Sequence, residues 1–282
     1  MDLICDTNIW YAISSGDSDP NAFKEQGHRL LATPISVLEI VSKIDNENFN
    51  SRQGAARAIL NHADEVVAAP EDHLATLWGL PPRATLDWHV YNSAVATARD
   101  LAALDAGVVV AGTQKIRVDI TNANNYRTLS YERFLNDVVM ELDRLNPEYG
   151  ENWKSGRFQQ LPLDTKKLFK DAIQQDAVRK QLMKATFDRA AKAAGLKARS
   201  DPSDTKITQV SPLLSVYIDV YLEFMVDSAC HSKPKENDVG DLGMFIYANL
   251  GRKIATRDKK WIRLAELAGY KDIIFHERQR TR

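Results

Sequence analysis

Short apolar segments that run straight into helices occur near both ends of this chain and fade in its middle. Asp2 to Cys5 is such a segment, and at Asp6-Thr7-Asn8 it turns into helical spacing around 9–13. A helix is expected over 20–30, a short strand over 31–34, and a helix opened by Ser36 that carries Val37, Leu38, Ile40, Val41 and Ile44. A further helix over 53–62 and a strand over 66–68 follow. Apolar runs of strand length alternating with helices mark α/β units, and such units require a parallel sheet. The same alternation returns after Pro234: a helix over 238–250 stopped by Gly251, a strand over 254–256, a helix over 259–268 and a strand over 273–275.

Between these ends, strand signals give way to helical periodicity. Helices are expected over 71–78, 86–104, 130–145, 164–194 and 212–230. Segments 146–163 and 197–211 hold Pro, Gly, Ser and Asp and read as linkers. The expected fold class is therefore α/β with a central parallel sheet. Residues 1–78 and 232–282 form one discontinuous domain, interrupted by a mainly α-helical insertion over 79–231.

Charge is divided unevenly along the chain. The net charge is -1 over 282 residues, but residues 151–200 hold 12 Lys/Arg against 5 Asp/Glu, and residues 252–282 hold 10 against 4. Separated basic territory suits a polyanion, although a solvated helix face has the same composition. Cys5 and Cys230 cannot make a disulfide framework or a thiolate metal site. No run approaches a bilayer-spanning length and the opening residues lack a basic leader, so a soluble cytoplasmic chain without membrane contact is expected.

Four acids occupy similar places in the α/β units. Asp6 follows the first strand, Glu39 and Asp241 lie about one turn into helices, and Asp258 follows the strand over 254–256. Each alone also fits a helix cap or an Asx turn. Jointly they fall at the carboxyl ends of parallel strands, where ligands of this architecture bind. Four carboxylates converging there repel one another unless a hard cation with oxygen ligands, Mg²⁺ or Mn²⁺, neutralises them.

Asp6-Thr7-Asn8 after an apolar strand resembles the opening of the PIN-domain nucleases. Pro34-Ile35-Ser36-Val37-Leu38-Glu39, Asn237-Asp238-Val239-Gly240-Asp241 with Tyr247-Ala248, and Ile254-Ala255-Thr256-Arg257-Asp258 resemble the family's next three motifs, in order. The likeness covers about residues 1–78 and 232–282 and implies a PIN-like three-layer sandwich. It implies that Asp6, Glu39, Asp241 and Asp258 hold Mg²⁺ or Mn²⁺ and hydrolyse RNA endonucleolytically to 5′-phosphate and 3′-hydroxyl ends. Asn8, Asp238 and Thr256 are then the supporting residues. Arg252, Lys253, Arg257, Lys259 and Lys260 are candidate phosphate contacts. Lys166, Lys167, Lys170, Arg179, Lys180 and Lys184 read either as an arm over the substrate or as a solvated helix face. Trp10 and Tyr11 read either as rings that stack a base or, as is more common after a first strand, as core.

Two other functions share this pattern: a non-catalytic RNA-binding or scaffolding PIN domain, and a structure-specific DNA nuclease. Toxin-like relatives also leave open an inhibitor or antitoxin partner and a homodimer. Other catalytic classes fail on inspection. The chain has no Gly-x-Ser-x-Gly elbow, P-loop or His-Glu-x-x-His zinc motif, and its six histidines show no ligand spacing.

Overall fold

The computed structural model describes residues 1–42, 44, 47–81, 86–103, 114–157, 163–196, 202–249 and 251–276. Among them five strands form one all-parallel sheet: β1 (Asp2–Cys5), β2 (Arg29–Ala32), β3 (Glu65–Val66), β4 (Arg252–Ala255) and β5 (Ile274–Phe275). Their order is β3-β2-β1-β4-β5. Leu3, Ile4, Cys5, Leu30, Leu31, Ala32 and Ile254 are wholly buried, as strands covered on both faces must be. The chain moves outward from β1 through β2 to β3, then reappears on the other flank as β4 and β5. The direction of winding therefore changes beside β1, which creates a crevice at the carboxyl ends of β1 and β4.

The helices are α1 (Thr7–Ser15), α2 (Pro20–Glu25), α3 (Pro34–Val41), α4 (Phe49–His62), α5 (Pro70–Trp78), α6 (Leu86–Ala103), α7 (Gln114–Leu145), α8 (Pro147–Lys154), α9 (Leu163–Ile173), α10 (Asp176–Ala193), α11 (Asp204–Cys230), α12 (Glu236–Leu242) and α13 (Lys259–Leu267). A 3₁₀ turn, Gly243–Tyr247, continues α12 toward β4. Helix α6 packs on α3 and α4, α7 on α12, α10 on α5, and α11 on α13, so one buried core runs from the sheet into the central helices. No helix of the described residues is long and apolar enough to cross a membrane.

Several elements differ from the sequence expectation. The expected helix over 20–30 ends at Glu25, because Gly27 takes a left-handed turn (φ 75°) that starts β2 at Arg29. Thr33, not Ser36, caps α3: its side chain accepts from the Ser36 N–H at 3.0 Å, while the Ser36 hydroxyl accepts from the Thr33 N–H at 3.2 Å. The supposed linker over 146–163 contains α8, with Asn146 as its cap and Pro147 at its first position. The helix expected over 164–194 is two helices, broken at Gln174 and Gln175, where Gln174 turns its amide to Glu223 at 2.9 Å. Helix α11 begins at Asp204 and carries Pro212 inside it, so part of the second expected linker is helical. The helix expected over 238–250 starts at Glu236 and tightens into the 3₁₀ turn at Gly243. Linker residues 158–162 and 197–201 lie outside the described residues, as does Leu250.

Candidate metal centre

Register alone brings the first pieces together. Cys5 pairs with Ala32 on one side and with Ala255 on the other, so Asp6, Thr33 and Thr256 leave the sheet at one edge. The Asp6 N–H completes the ladder to the Ala255 carbonyl at 2.9 Å. Its side chain caps α1, with Oδ1 accepting from the Thr7 N–H at 2.6 Å and Oδ2 from the Thr256 hydroxyl at 2.7 Å. The Asn8 amide donates to the same Oδ2. Asn8 accepts in turn from the Arg257 N–H at 3.1 Å, tying the first motif to the fourth.

Glu39 comes from α3 and Asp241 from α12. Glu39 Oε2 accepts from the Thr7 hydroxyl at 2.6 Å, and Oε1 from the Asn237 amide at 3.3 Å. The indole of the buried Trp261 donates to Asp241 Oδ2 at 3.2 Å. The 3₁₀ turn after Asp241 lies so close to α3 that a Cβ on Gly243 would stand 2.7 Å from Ile35 Cδ1, which is why glycine suits that position. One oxygen from each of Asp6, Glu39 and Asp241 lies within 4.8 Å of the others. Asp258 is not a member of this group. It caps α13 by accepting from the Lys260 N–H at 2.7 Å, yet its charge still raises the carboxyl pKa of both Asp6 and Asp241.

The electrostatics follow from burial. Asp6 is 3% exposed, and among the described residues no Lys or Arg forms an ion pair with Asp6, Glu39 or Asp241. Desolvation pushes the Asp6 carboxyl up to about 7, assisted by Glu39 and opposed by the Thr256 hydrogen bond. Desolvation and the same neighbours hold Asp241 well above the carboxylate range. An all-oxygen set of carboxylates that repel one another when ionised could hold a hard cation. The opposite end of the sheet provides a contrast: there Asp2 lies between Arg29 (3.5 Å) and Arg252 (3.8 Å) and its charge is matched.

Linkage then fixes a pH signature. The folded carboxyl of Asp6 holds its proton up to about 7, while the unfolded one releases it near 3.8. Metal-free fold therefore loses stability as pH rises through that window, because the unfolded chain binds fewer protons there. A cation must displace that proton and the one held on Asp241, so its affinity climbs as pH rises through this window. Thermal shift with Mn²⁺ is expected to be larger at about pH 8 than at about pH 5.5. An equal shift at both would show that Asp6 is not a ligand.

The supporting residues have distinct placements. Asn8 and Thr256 touch Asp6 directly. Asp238 lies one step removed, accepting from the Lys235 N–H and from Lys260 Nζ, both at 2.7 Å. Thr7, Asn237 and Trp261 orient the acids and were not among the sequence candidates. Thr7 directly follows Asp6, Asn237 lies in the third motif, and a buried indole needs an acceptor, but no spacing rule names that acceptor. Thr7→Val keeps shape and burial while removing the donor to Glu39. Mn²⁺ affinity measured by calorimetric titration is expected to fall about 10–100-fold, with fold retained.

The basic candidates separate into groups. Arg252 and Lys253 begin β4, about 10 Å of strand rise from the acidic edge, at the opposite end of the strand from the acids. Arg257 turns to the α1–α2 loop, donating to the Ser18 hydroxyl at 2.7 Å and the Asp17 carbonyl at 3.2 Å. Lys259 is exposed on α13. Lys260 pairs with Asp238 and lies over the Phe224 ring. An open groove of about 500 Å³ starts at Asp238 and Asp258 and is lined by Lys233, Lys235, Lys260 and Arg263. Lys166, Lys167 and Lys170 line a smaller recess that shares Arg263. Arg179 pairs instead with Asp219, and Lys180 and Lys184 are exposed on α10, so the six do not form one arm. Trp10 is wholly buried and Tyr11 half-buried against the core, as expected of them.

A scan against protein-family models and searches of curated proteins and of solved structures return no match to this chain. The site is therefore read from its own residues.

Proposed function

We propose that this chain is a divalent-metal-dependent endoribonuclease of the PIN type, hydrolysing phosphodiester bonds of single-stranded or structured RNA. The observation that carries the reading is the meeting of Asp6, Glu39 and Asp241, from three distant segments, at the carboxyl ends of parallel strands, where no Lys or Arg of the described residues forms an ion pair with them. Asp258 adjoins them as the fourth acid. The PIN-like three-layer arrangement, the Mg²⁺ or Mn²⁺ cofactor and a cytoplasmic location belong to the same reading.

When bound, Mg²⁺ or Mn²⁺ supplies a water of lowered pKa and charge to stabilise the leaving oxygen. The protein's part is to hold the ligand oxygens in place. Thr7 and Asn237 fix the Glu39 carboxylate, Trp261 fixes Asp241, and Asn8 with Thr256 fix Asp6. Lys233, Lys235 and Arg263 in the groove beside Asp258 offer contacts for phosphates on either side of the bond to be cut. The groove's three aspartates offset most of that charge, so it guides a strand locally more than it steers one from a distance.

The test is cleavage of labelled single-stranded RNA and sequence-matched DNA by the purified chain, in EDTA and with Mg²⁺ or Mn²⁺. Metal-dependent cutting of RNA with internal products is expected. Cutting of DNA alone would move the reading to a DNA nuclease. Metal-independent cutting would remove the acids from the chemistry.

A further inference from the structure

On the Glu39 and Asp241 side of the acids, a cavity of about 310 Å³ opens between the α/β part and the central helices. Its walls come from both. Leu38 of α3 and Gly240 of α12 form one side; Phe134 of α7 and Tyr217 and Tyr221 of α11 form the other. The lining is mostly apolar, and its volume is at the lower end of pockets for small ligands, roughly 300–1,000 Å³.

The far wall combines ring faces with directional polar groups. Phe134 stacks on Phe224 at 4.5 Å and meets Tyr221 edge-on at 5.5 Å, so the aromatic wall is fixed by its own packing. The Tyr221 hydroxyl donates to Asp137 at 2.7 Å. Arg189 reaches Glu71 at 2.8 Å and Tyr217 at 3.5 Å. The cavity thus offers a carboxylate acceptor (Asp137) and guanidinium donors (Arg133 and Arg189) around a mostly apolar space, and two of the clustered acids stand in its wall. A nucleobase has that make-up: a π face with acceptors and donors at its edge.

We infer that the cavity is a subsite for one unpaired nucleobase of the strand, adjacent to the phosphate held at the acids. This rests on the nuclease reading for its role, and it makes the central helices the wall that sets specificity. A paired base would have to leave its stack to enter, so unpaired segments are the preferred substrate.

Two arms test it separately from the nuclease reading. In the first, adenosine, guanosine, cytidine and uridine are titrated calorimetrically into the whole protein. Nucleosides carry no phosphate and so report the cavity without a phosphate held at the acids. Gly240→Leu and Ala185→Trp are compared with wild type. Gly240 lines the cavity and a Cβ there meets nothing within 4 Å, so leucine is accommodated at the cavity wall, while Ala185 is an exposed lining position on α10. At least one nucleoside is expected to bind wild type and to bind each variant at least about tenfold more weakly. Mn²⁺ is expected to stabilise both variants as it does wild type. In the second arm, RNA with one abasic position is cut about tenfold more slowly when that position flanks the scissile phosphate, and Gly240→Leu loses the distinction. The inference is overturned if no nucleoside binds at millimolar concentration, if the variants bind as wild type does, or if RNA is cut with indifference to the abasic site. Nucleoside binding without any RNA cutting would sink the nuclease reading and leave the base subsite standing.

Discussion

Asp6→Asn is expected to lower metal-dependent RNA cleavage by at least about a thousandfold, roughly 4 kcal/mol at 1.36 kcal/mol per tenfold. The side chain is nearly isosteric and the position is a helix cap, so the amide oxygen can still accept from the Thr7 N–H. What disappears is the charge, and with it one oxygen of the group of three. The amide nitrogen also faces the Asn8 amide, a donor meeting a donor. Against that, removing a buried carboxylate relieves its repulsion with Glu39 and Asp241. Metal-free Asp6→Asn should therefore melt within a few degrees of wild type at neutral pH, and its melting point should depend less on pH between about 4 and 7. The decisive comparison is paired: cleavage rate and Mn²⁺-induced thermal shift on one preparation. Loss of both, with the fold intact, supports the proposed centre. Retained cleavage would place the chemistry elsewhere.

Trp261→Ala is expected to be the most destabilising single change near the site, by about 3–5 kcal/mol. The ring is wholly buried on α13, tilted against Phe224 at 5.1 Å and Phe245 at 5.6 Å, and so ties α11, the 3₁₀ turn and α13 together. Its loss leaves a cavity where those three elements meet and should lower the melting temperature by about 10 °C. Trp261→Phe separates packing from orientation. It fills most of the space, costs less than about half as much, and removes only the N–H that Asp241 accepts. Mn²⁺ affinity should then fall about tenfold while the melting temperature falls by less than about half as much as in Trp261→Ala. Equal affinities in wild type and Trp261→Phe would detach the indole from the metal site.

The α/β ends of the fold were legible because their signals are local. An apolar run halted by Asp6-Thr7-Asn8, or by Thr256-Arg257-Asp258, marks both the end of a strand and the cap of the next helix. Parallel pairing then places those residues on one edge without any side-chain information. The gathering of Asp6, Glu39 and Asp241 followed from that logic; the outer place of Asp258 did not, since it depends on which way a capping carboxylate turns. The central helices were less readable. Asn146-Pro147 is a helix start, yet Gly150 made the segment look like a linker; in α8 that glycine accommodates the Asp143 side chain, which a Cβ would meet at 2.0 Å. Pro212 suggested a boundary, but the helix continues past it, with Ser215 bonding back to the Pro212 carbonyl at 3.1 Å. The break at Gln175 carries no Gly or Pro, and is set by how α9 and α10 each meet α11. The pairings Thr7–Glu39 and Trp261–Asp241 span positions that no periodicity relates.

The pairing of β1 with β4 also bears on when the centre can exist. Residues 2–5 are made well before residues 252–255, their neighbour on one flank, and Asp241 arrives only shortly before that neighbour. At roughly 5–20 residues per second on the ribosome, the first carboxylate waits on the order of ten seconds or more for the third. During that interval β1 has β2 beside it and an open edge on the other side. A nascent chain therefore carries Asp6 and Glu39 without their third partner, and cannot assemble the three-oxygen site until the segment bearing Asp241 has been made. For a protein proposed to cut RNA, such late closure delays activity until the third carboxylate is in place.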